Sequence, residues 1–149
     1  MQEETLARLA EVAGRPGSRV GRAAALAGLI RDVGGARWVG LYSVAGATVT
    51  NDGWSGPAAP AYPTFPSTKG LTGHAIATGA IAVSNDVAND PRYLTNQDDS
   101  GSELIVPIVV DGRVVGTLDV ESDAIGAFGG AAITTYEAIA DVIRPLWQT

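Results

Sequence analysis

An α/β fold is the class this sequence predicts: a central antiparallel sheet with the N- and C-terminal helices on one face and loops with a short helix over the other. Three observations point to it. Two stretches with helical spacing precede any strand-like segment, two strand pairs joined by short glycine-containing turns follow, and the chain closes on an amphipathic helix. With 149 residues and 46% apolar side chains, residues 1–149 are expected to form a single domain that buries its own core.

Residues 3–13 place Leu6, Leu9, Val12 and Ala13 at helical spacing, and Gly14-Arg15-Pro16-Gly17 stops that helix. Ser18 is positioned to cap a second helix, rich in Ala and Leu, that runs to about Asp32 and ends at Gly34-Gly35. Residues 37–44 alternate, with Trp38, Gly40, Tyr42 and Val44 on one face and Val39 and Leu41 on the other, as in a strand with two different environments. Residues 48–54 pair with it across Ala45-Gly46. The stretch 55–69 carries four of the eight prolines and reads as an ordered, irregular loop, a candidate lid. Residues 70–78 read as a short helix closed by Gly79, residues 80–84 as a short strand, and residues 85–101 as a polar loop with a turn at Asp90-Pro91.

Residues 103–110 and 114–122 make the strongest strand pair, joined at Asp111-Gly112. A two-residue loop would put Leu104 opposite Asp119 and Glu103 opposite Val120, mixing polar and apolar side chains on both faces. A three-residue loop ending with Gly112 in the left-handed conformation sorts them. Leu104, Val106, Ile108, Val114, Gly116, Leu118 and Val120 then share an apolar face, and Glu103, Ile105, Pro107, Val115, Thr117, Asp119 and Glu121 share the other. A helix over residues 130–143, with Ile133, Tyr136, Ile139, Ala140 and Ile143 along one stripe, is expected to cover the apolar face, and Pro145 to end or bend it.

In this register Glu103 lies across from Asp119, with Glu121 two residues further along the same face. Like charges so placed repel, and more strongly where water is excluded. Four remedies are open: a bound cation, an internal Arg or Lys, protonation of one acid, or exposure at solvated strand ends. The first makes the acids a recess for an amine or guanidinium, with Trp38 and Tyr42 either as aromatic walls or as ordinary core. A Ca²⁺ or Mg²⁺ site on the same three acids is the alternative, although no dedicated metal loop is present and no metal is expected. The sole histidine, His74, has no triad or zinc context and reads as structural or surface.

Composition removes other chemistries. The chain has no cysteine, which excludes thiolate nucleophiles, thiol–disulfide exchange, zinc ribbons and iron–sulfur clusters. Sixteen acidic against ten basic residues, a net charge of −6, and no Lys/Arg cluster argue against nucleic acid. The acidic N-terminus is unlike a signal peptide, and no apolar run reaches the roughly 18–20 residues that span a bilayer. A cytoplasmic location with no membrane partner is the expectation.

Three groups of residues carry a family resemblance. Gly70-Leu71-Thr72-Gly73-His74-Ala75, then Asn85-Asp86-Val87 with Asp90-Pro91-Arg92-Tyr93, then Ser102 to Ile108 followed by Gly112-Arg113-Val114-Val115-Gly116, resemble recurrent segments of the GAF domain family, in the family's order. Trp38-Val39-Gly40-Leu41-Tyr42, Ser102-Glu103 and Leu118-Asp119-Val120-Glu121-Ser122 resemble in particular the free methionine-(R)-sulfoxide reductase type. The resemblance implies a loop-covered ligand pocket in which Glu103, Asp119 and Glu121 hold polar groups of a small molecule, Glu121 standing where that type usually has Asp. The three cysteine positions of the type fall at Tyr62, Thr72 and Asn96 here, the last at the attacking thiolate. Sulfoxide reduction by a thiol needs a sulfur nucleophile and a resolving thiol, so the expectation is a non-catalytic sensory domain. It has no catalytic residue and no cofactor, and binds an amine-bearing metabolite such as an amino acid derivative through Trp38, Tyr42, Tyr62, Thr72, Asn96, Glu103, Asp119 and Glu121. Binding is expected to reorganise loops 55–69 or 93–100 and to act through the terminal helices, which are expected to form a homodimer. A dimerisation or scaffold module with a vestigial pocket, and a thiol-independent enzyme, are the alternatives from other classes.

Overall fold

The computed structural model describes residues 3–94 and 100–148. Helix α1 spans Glu3–Ala13 and α2 spans Arg19–Gly34. Ser18 starts α2 as expected, its Oγ accepting from the Gly21 amide at 3.3 Å, and Gly35 ends it in the left-handed conformation. Buried Arg22 donates from its guanidinium to the Ala13 carbonyl at 2.6 Å. That bond satisfies an end carbonyl of α1 and ties the two helices together.

Strands β1 (Trp38–Ala45), β2 (Thr48–Ser55), β3 (Thr64–Pro66), β4 (Ala82–Ser84), β5 (Ser102–Val110) and β6 (Arg113–Ser122) form one sheet in the order β3-β2-β1-β6-β5-β4. Every neighbouring pair is antiparallel. Helix α3 is Gly70–Thr78 and α4 is Gly130–Ile143, followed by a 3-10 turn Arg144–Trp147 that contains Pro145. The stretch read as a purely irregular loop therefore holds a short strand. β3 lies at the sheet edge, where a strand end can be proline without losing a ladder hydrogen bond.

The two faces of the sheet divide the molecule. Val39 and Leu41 of β1, Leu104, Val106 and Ile108 of β5, and Leu118 and Val120 of β6 meet α1, α2 and α4 in the main core. α2 contributes Ala23, Leu26, Ala27 and Ile30, and α4 contributes Tyr136, Ile139, Ala140 and Ile143, in each case a single helical stripe. On the other face α3 covers Ile105 with Leu71 and Ala75, while Trp38 and Tyr42 pack with Val49 and Phe65.

The β5–β6 register corrects the expected one. The loop is the two-residue turn Asp111-Gly112, with φ of 52° and 76° at its residues and Val110 paired to Arg113. Positive φ at both positions is the type I′ geometry that suits the right-handed strand twist. The sorting of faces comes instead from a bulge: Val109 pairs with Val114 but Ile108 pairs with Gly116, leaving Val115 as the extra residue. The bulge moves the pairing on by one, so Leu104 meets Val120 and Glu103 meets Glu121, not Asp119. It also exchanges two side chains relative to the expectation. Val115 packs against the helix-side core, and Val114 lines the opposite side with Val44 and Ile76.

Candidate functional site

Glu103, Asp119 and Glu121 stand on the α3 side of β5 and β6, the face expected for them. Glu121 lies between Glu103 on β5 and Trp38 on β1, while Asp119 lies between Ile105 and Gly40. The three acids are 3%, 1% and 0% exposed, which rules out solvated strand ends as the way their charges are tolerated. One oxygen from each carboxylate can be chosen so that all lie within 4.8 Å of one another. Two full charges at that separation repel by about 3 kcal/mol at an effective dielectric constant of about 20.

Protonation relieves part of this. Burial first, and the facing carboxylates second, hold Glu103 and Asp119 well above the usual carboxylate range, and the two share a hydrogen bond. Glu121 is served from outside the sheet: its Oε1 accepts from the Tyr93 hydroxyl at 2.8 Å and from Ser100 Oγ at 2.7 Å. Burial, and then the Glu121 charge, push the Tyr93 phenol upward. Neither Tyr93 nor Ser100 was among the expected site residues. Tyr93 had a signal, since it closes the Asp90-Pro91-Arg92-Tyr93 segment; Ser100 had none beyond its place before β5. The Asp90 turn is confirmed by its carboxylate, which accepts from the Arg92 amide at 2.9 Å and from the guanidinium at 2.8 Å. These bonds hold its pKa well below the usual range.

Trp38 and Tyr42 flank the acids with ring centroids 6.4 Å apart, and Tyr42 meets Phe65 edge-on at 5.7 Å. Gly40 between them is what allows this. A Cβ there would come within 2.4 Å of the Trp38 ring and 3.0 Å of the Tyr42 ring. The Trp38 indole donates to the Ala58 carbonyl at 3.0 Å, pinning the proline-rich segment to the sheet. Thr72 on α3 is buried and lines a cleft of about 10 Å³ with Glu103, Phe65, Lys69 and Leu94. Tyr62 is 43% exposed and is not among the residues lining that cleft. Asn96 lies outside the described residues. His74 is exposed on α3. A roomier groove of about 520 Å³ lies between the ends of α1, α2 and α4, but no acid or cation is among its lining residues. The buried acid cluster is on the other face of the sheet.

A sheet packed by helices on one side, with a buried polar site under a short helix on the other, belongs to a class of mixed α/β ligand-binding folds. The chain belongs to the GAF domain family, whose model matches residues 19–145. These are typically small-molecule-binding regulatory domains. The free methionine-R-sulfoxide reductase of Neisseria meningitidis, solved in complex with its substrate, is similar at a TM-score of 0.86 and 26% identity, over 97% of this chain and 87% of that one. A putative GAF sensor protein from Burkholderia vietnamiensis is similar at a TM-score of 0.80 and 28% identity, over 94% and 91%. In sequence, protein YtsP of Bacillus subtilis is 38% identical over 63 residues, which is 42% of this chain and 39% of that protein's length. Similar solved structures thus include GAF proteins and reductases, and the chain itself holds no cysteine. Among the described residues no helix is long and apolar enough to cross a membrane.

Proposed function

We propose that this domain is a non-catalytic sensor whose acidic recess recognises the cationic group of a small, amine-bearing metabolite. The observation that carries the reading is the convergence of Glu103, Asp119 and Glu121, all buried, beside two aromatic rings. Holding three acids without water is a cost to the empty fold, and an ammonium group offsets it by restoring their charges. Because Glu103 and Asp119 retain a proton when empty, an arriving cation displaces it, and affinity rises with pH toward their raised pKa values. Reduction of a sulfoxide, as in the reductase relatives, is not proposed, because no residue here supplies sulfur.

Thermal shift and calorimetry with free amino acids, methionine sulfoxide, simple amines and Mg²⁺ or Ca²⁺ test this. A ligand at 100 times its dissociation constant should add about 2.7 kcal/mol, with proton release visible as a dependence of the binding heat on buffer. In the double variant Glu103→Gln/Asp119→Asn that stabilisation should vanish. Equal stabilisation of wild type and variant would sink the recess; stabilisation by a divalent ion alone would replace the amine with a metal.

A further inference from the structure

Two helix ends meet at the groove of about 520 Å³ on the helix side of the sheet: Val33, Gly34 and Gly35 line it from the end of α2, and Ala131 and Ala132 from the start of α4. That volume suits a small molecule. The α2 end is satisfied. The Gly35 amide donates to the Arg31 carbonyl at 3.0 Å, and Arg31, in the last turn, donates from Nε to the Ala36 and Arg37 carbonyls at 3.2 and 3.1 Å. The α4 start is not. Gly129 is its N-cap, no side chain caps it and no acid stands in its first turn. Ile133 is the residue whose amide bonds back to the Gly129 carbonyl, at 3.0 Å. The amides of Gly130, Ala131 and Ala132 are thereby left open at the positive end of the helix dipole. The backbone does not force glycine at 129. Its φ of −89° and ψ of −175° suit any residue, and a Cβ there would meet nothing within 4 Å. Ser or Asp would fit and would cap the helix.

Tyr136 is a second observation, independent of the helix end. It lines the same groove and is only 5% exposed. Standing four residues beyond Ala132, it leans back toward the first turn, as helical side chains do. Phe128 fixes its ring edge-on with centroids 6.1 Å apart. Its hydroxyl ends over Gly34, where a methyl group would collide with it. Among the described residues that hydroxyl makes no hydrogen bond, and burial alone pushes the phenol pKa upward. We infer that this groove is a second ligand site, across the sheet from the acids, for a small carboxylate that carries an apolar body. The open amides of α4 and the Tyr136 hydroxyl each have a proton to give, which is what carboxylate oxygens require. Val33, Ala127, Phe128 and the two alanines of α4 wall the apolar body. No carboxylate among the described residues lines the groove to repel the anion.

Amide-resolved NMR titration of the intact chain with phenylacetate and phenylacetamide tests the site. Phenylacetate should shift the amide resonances of Gly130, Ala131 and Ala132 and bind about tenfold tighter than phenylacetamide, as charge-assisted hydrogen bonds allow. Tyr136→Phe should weaken phenylacetate by about tenfold. Gly129→Asp should melt higher than wild type, because its carboxylate caps α4, and should lose phenylacetate binding, because it occupies the same amides. The recess variant Glu103→Gln/Asp119→Asn should bind phenylacetate as wild type does. Equal binding of acid and amide, no shift at residues 130–132, or an affinity that survives either Tyr136→Phe or Gly129→Asp overturns the site and leaves the amine reading untouched. Loss of phenylacetate binding in the recess variant overturns it too, since the anion would then be held on the other face.

Discussion

The two faces of β5 and β6 are made by alternate residues of the same strands, and they answer to opposite demands. On the helix side Leu104, Val106, Leu118 and Val120 are apolar, buried and packed against three helices. On the α3 side Glu103, Asp119 and Glu121 are just as buried, but each adds a desolvation cost that packing does not return. Equal burial therefore does not mean equal contribution. One face holds the fold together, and the other stores an unfavourable arrangement, which the proposed cationic ligand would relieve.

The largest expected effect tests that contrast directly. Leu118→Ala, on the helix face, should lower the unfolding free energy by about 3–4 kcal/mol through lost burial and a cavity. Its sequence neighbour, changed as Asp119→Asn, should leave stability at pH 8 unchanged or raised. Urea titrations of the two would break the comparison if both lost a similar amount. Gly40→Ala comes next. The new methyl group collides with the Trp38 and Tyr42 rings, so about 1–3 kcal/mol should be lost to overpacking, and ligand affinity should drop with the displaced walls.

The smallest effect is a slope. Glu103 and Asp119 have folded pKa values raised above the unfolded ones, so folding takes up protons between the two. Their contribution is fully present below the unfolded carboxylate value near pH 4 and is lost as pH rises toward the folded values. For each proton taken up, stability should fall by up to about 1.4 kcal/mol per pH unit within that window. Denaturant titrations from pH 4 upward should show this fall in the wild type and a shallower one in Glu103→Gln. An identical slope in the variant would mean that Glu103 retains no proton on folding.

Much of the fold was legible because its signals are local. The bounds of α1, α3 and α4 follow from spacing, glycine stops and the Pro145 ending, and each matches the structure. The sorting of acids and aliphatics onto opposite faces was also legible, since alternation with a period of two survives an error of two in register. The register itself was not. Its determinant is the bulge at Val115, a β-branched residue that looks like ordinary strand, so the pattern alone places the offset in the loop. β3 was hidden for a related reason: the prolines around Phe65 argue against a central strand and say nothing against an edge.

The site divides in the same way. Glu103, Asp119 and Glu121 could be grouped from two adjacent strands, because strand pairing is the one long-range contact that pattern alone predicts well. Tyr93 and Ser100, which bond Glu121 from 28 and 21 residues away, could not.

By itself the sequence determined which chemistry is absent, since no fold creates a thiol, and which side chains share a face, since the pleat dictates it. Tertiary structure decided what those acids are. Three carboxylates on a strand face are ordinary surface when water reaches them. α3, the aromatic cluster and the bonds from Tyr93 and Ser100 close over them, and exclusion of water is what raises the pKa values of Glu103 and Asp119 and sets this cluster apart from a surface charge pattern.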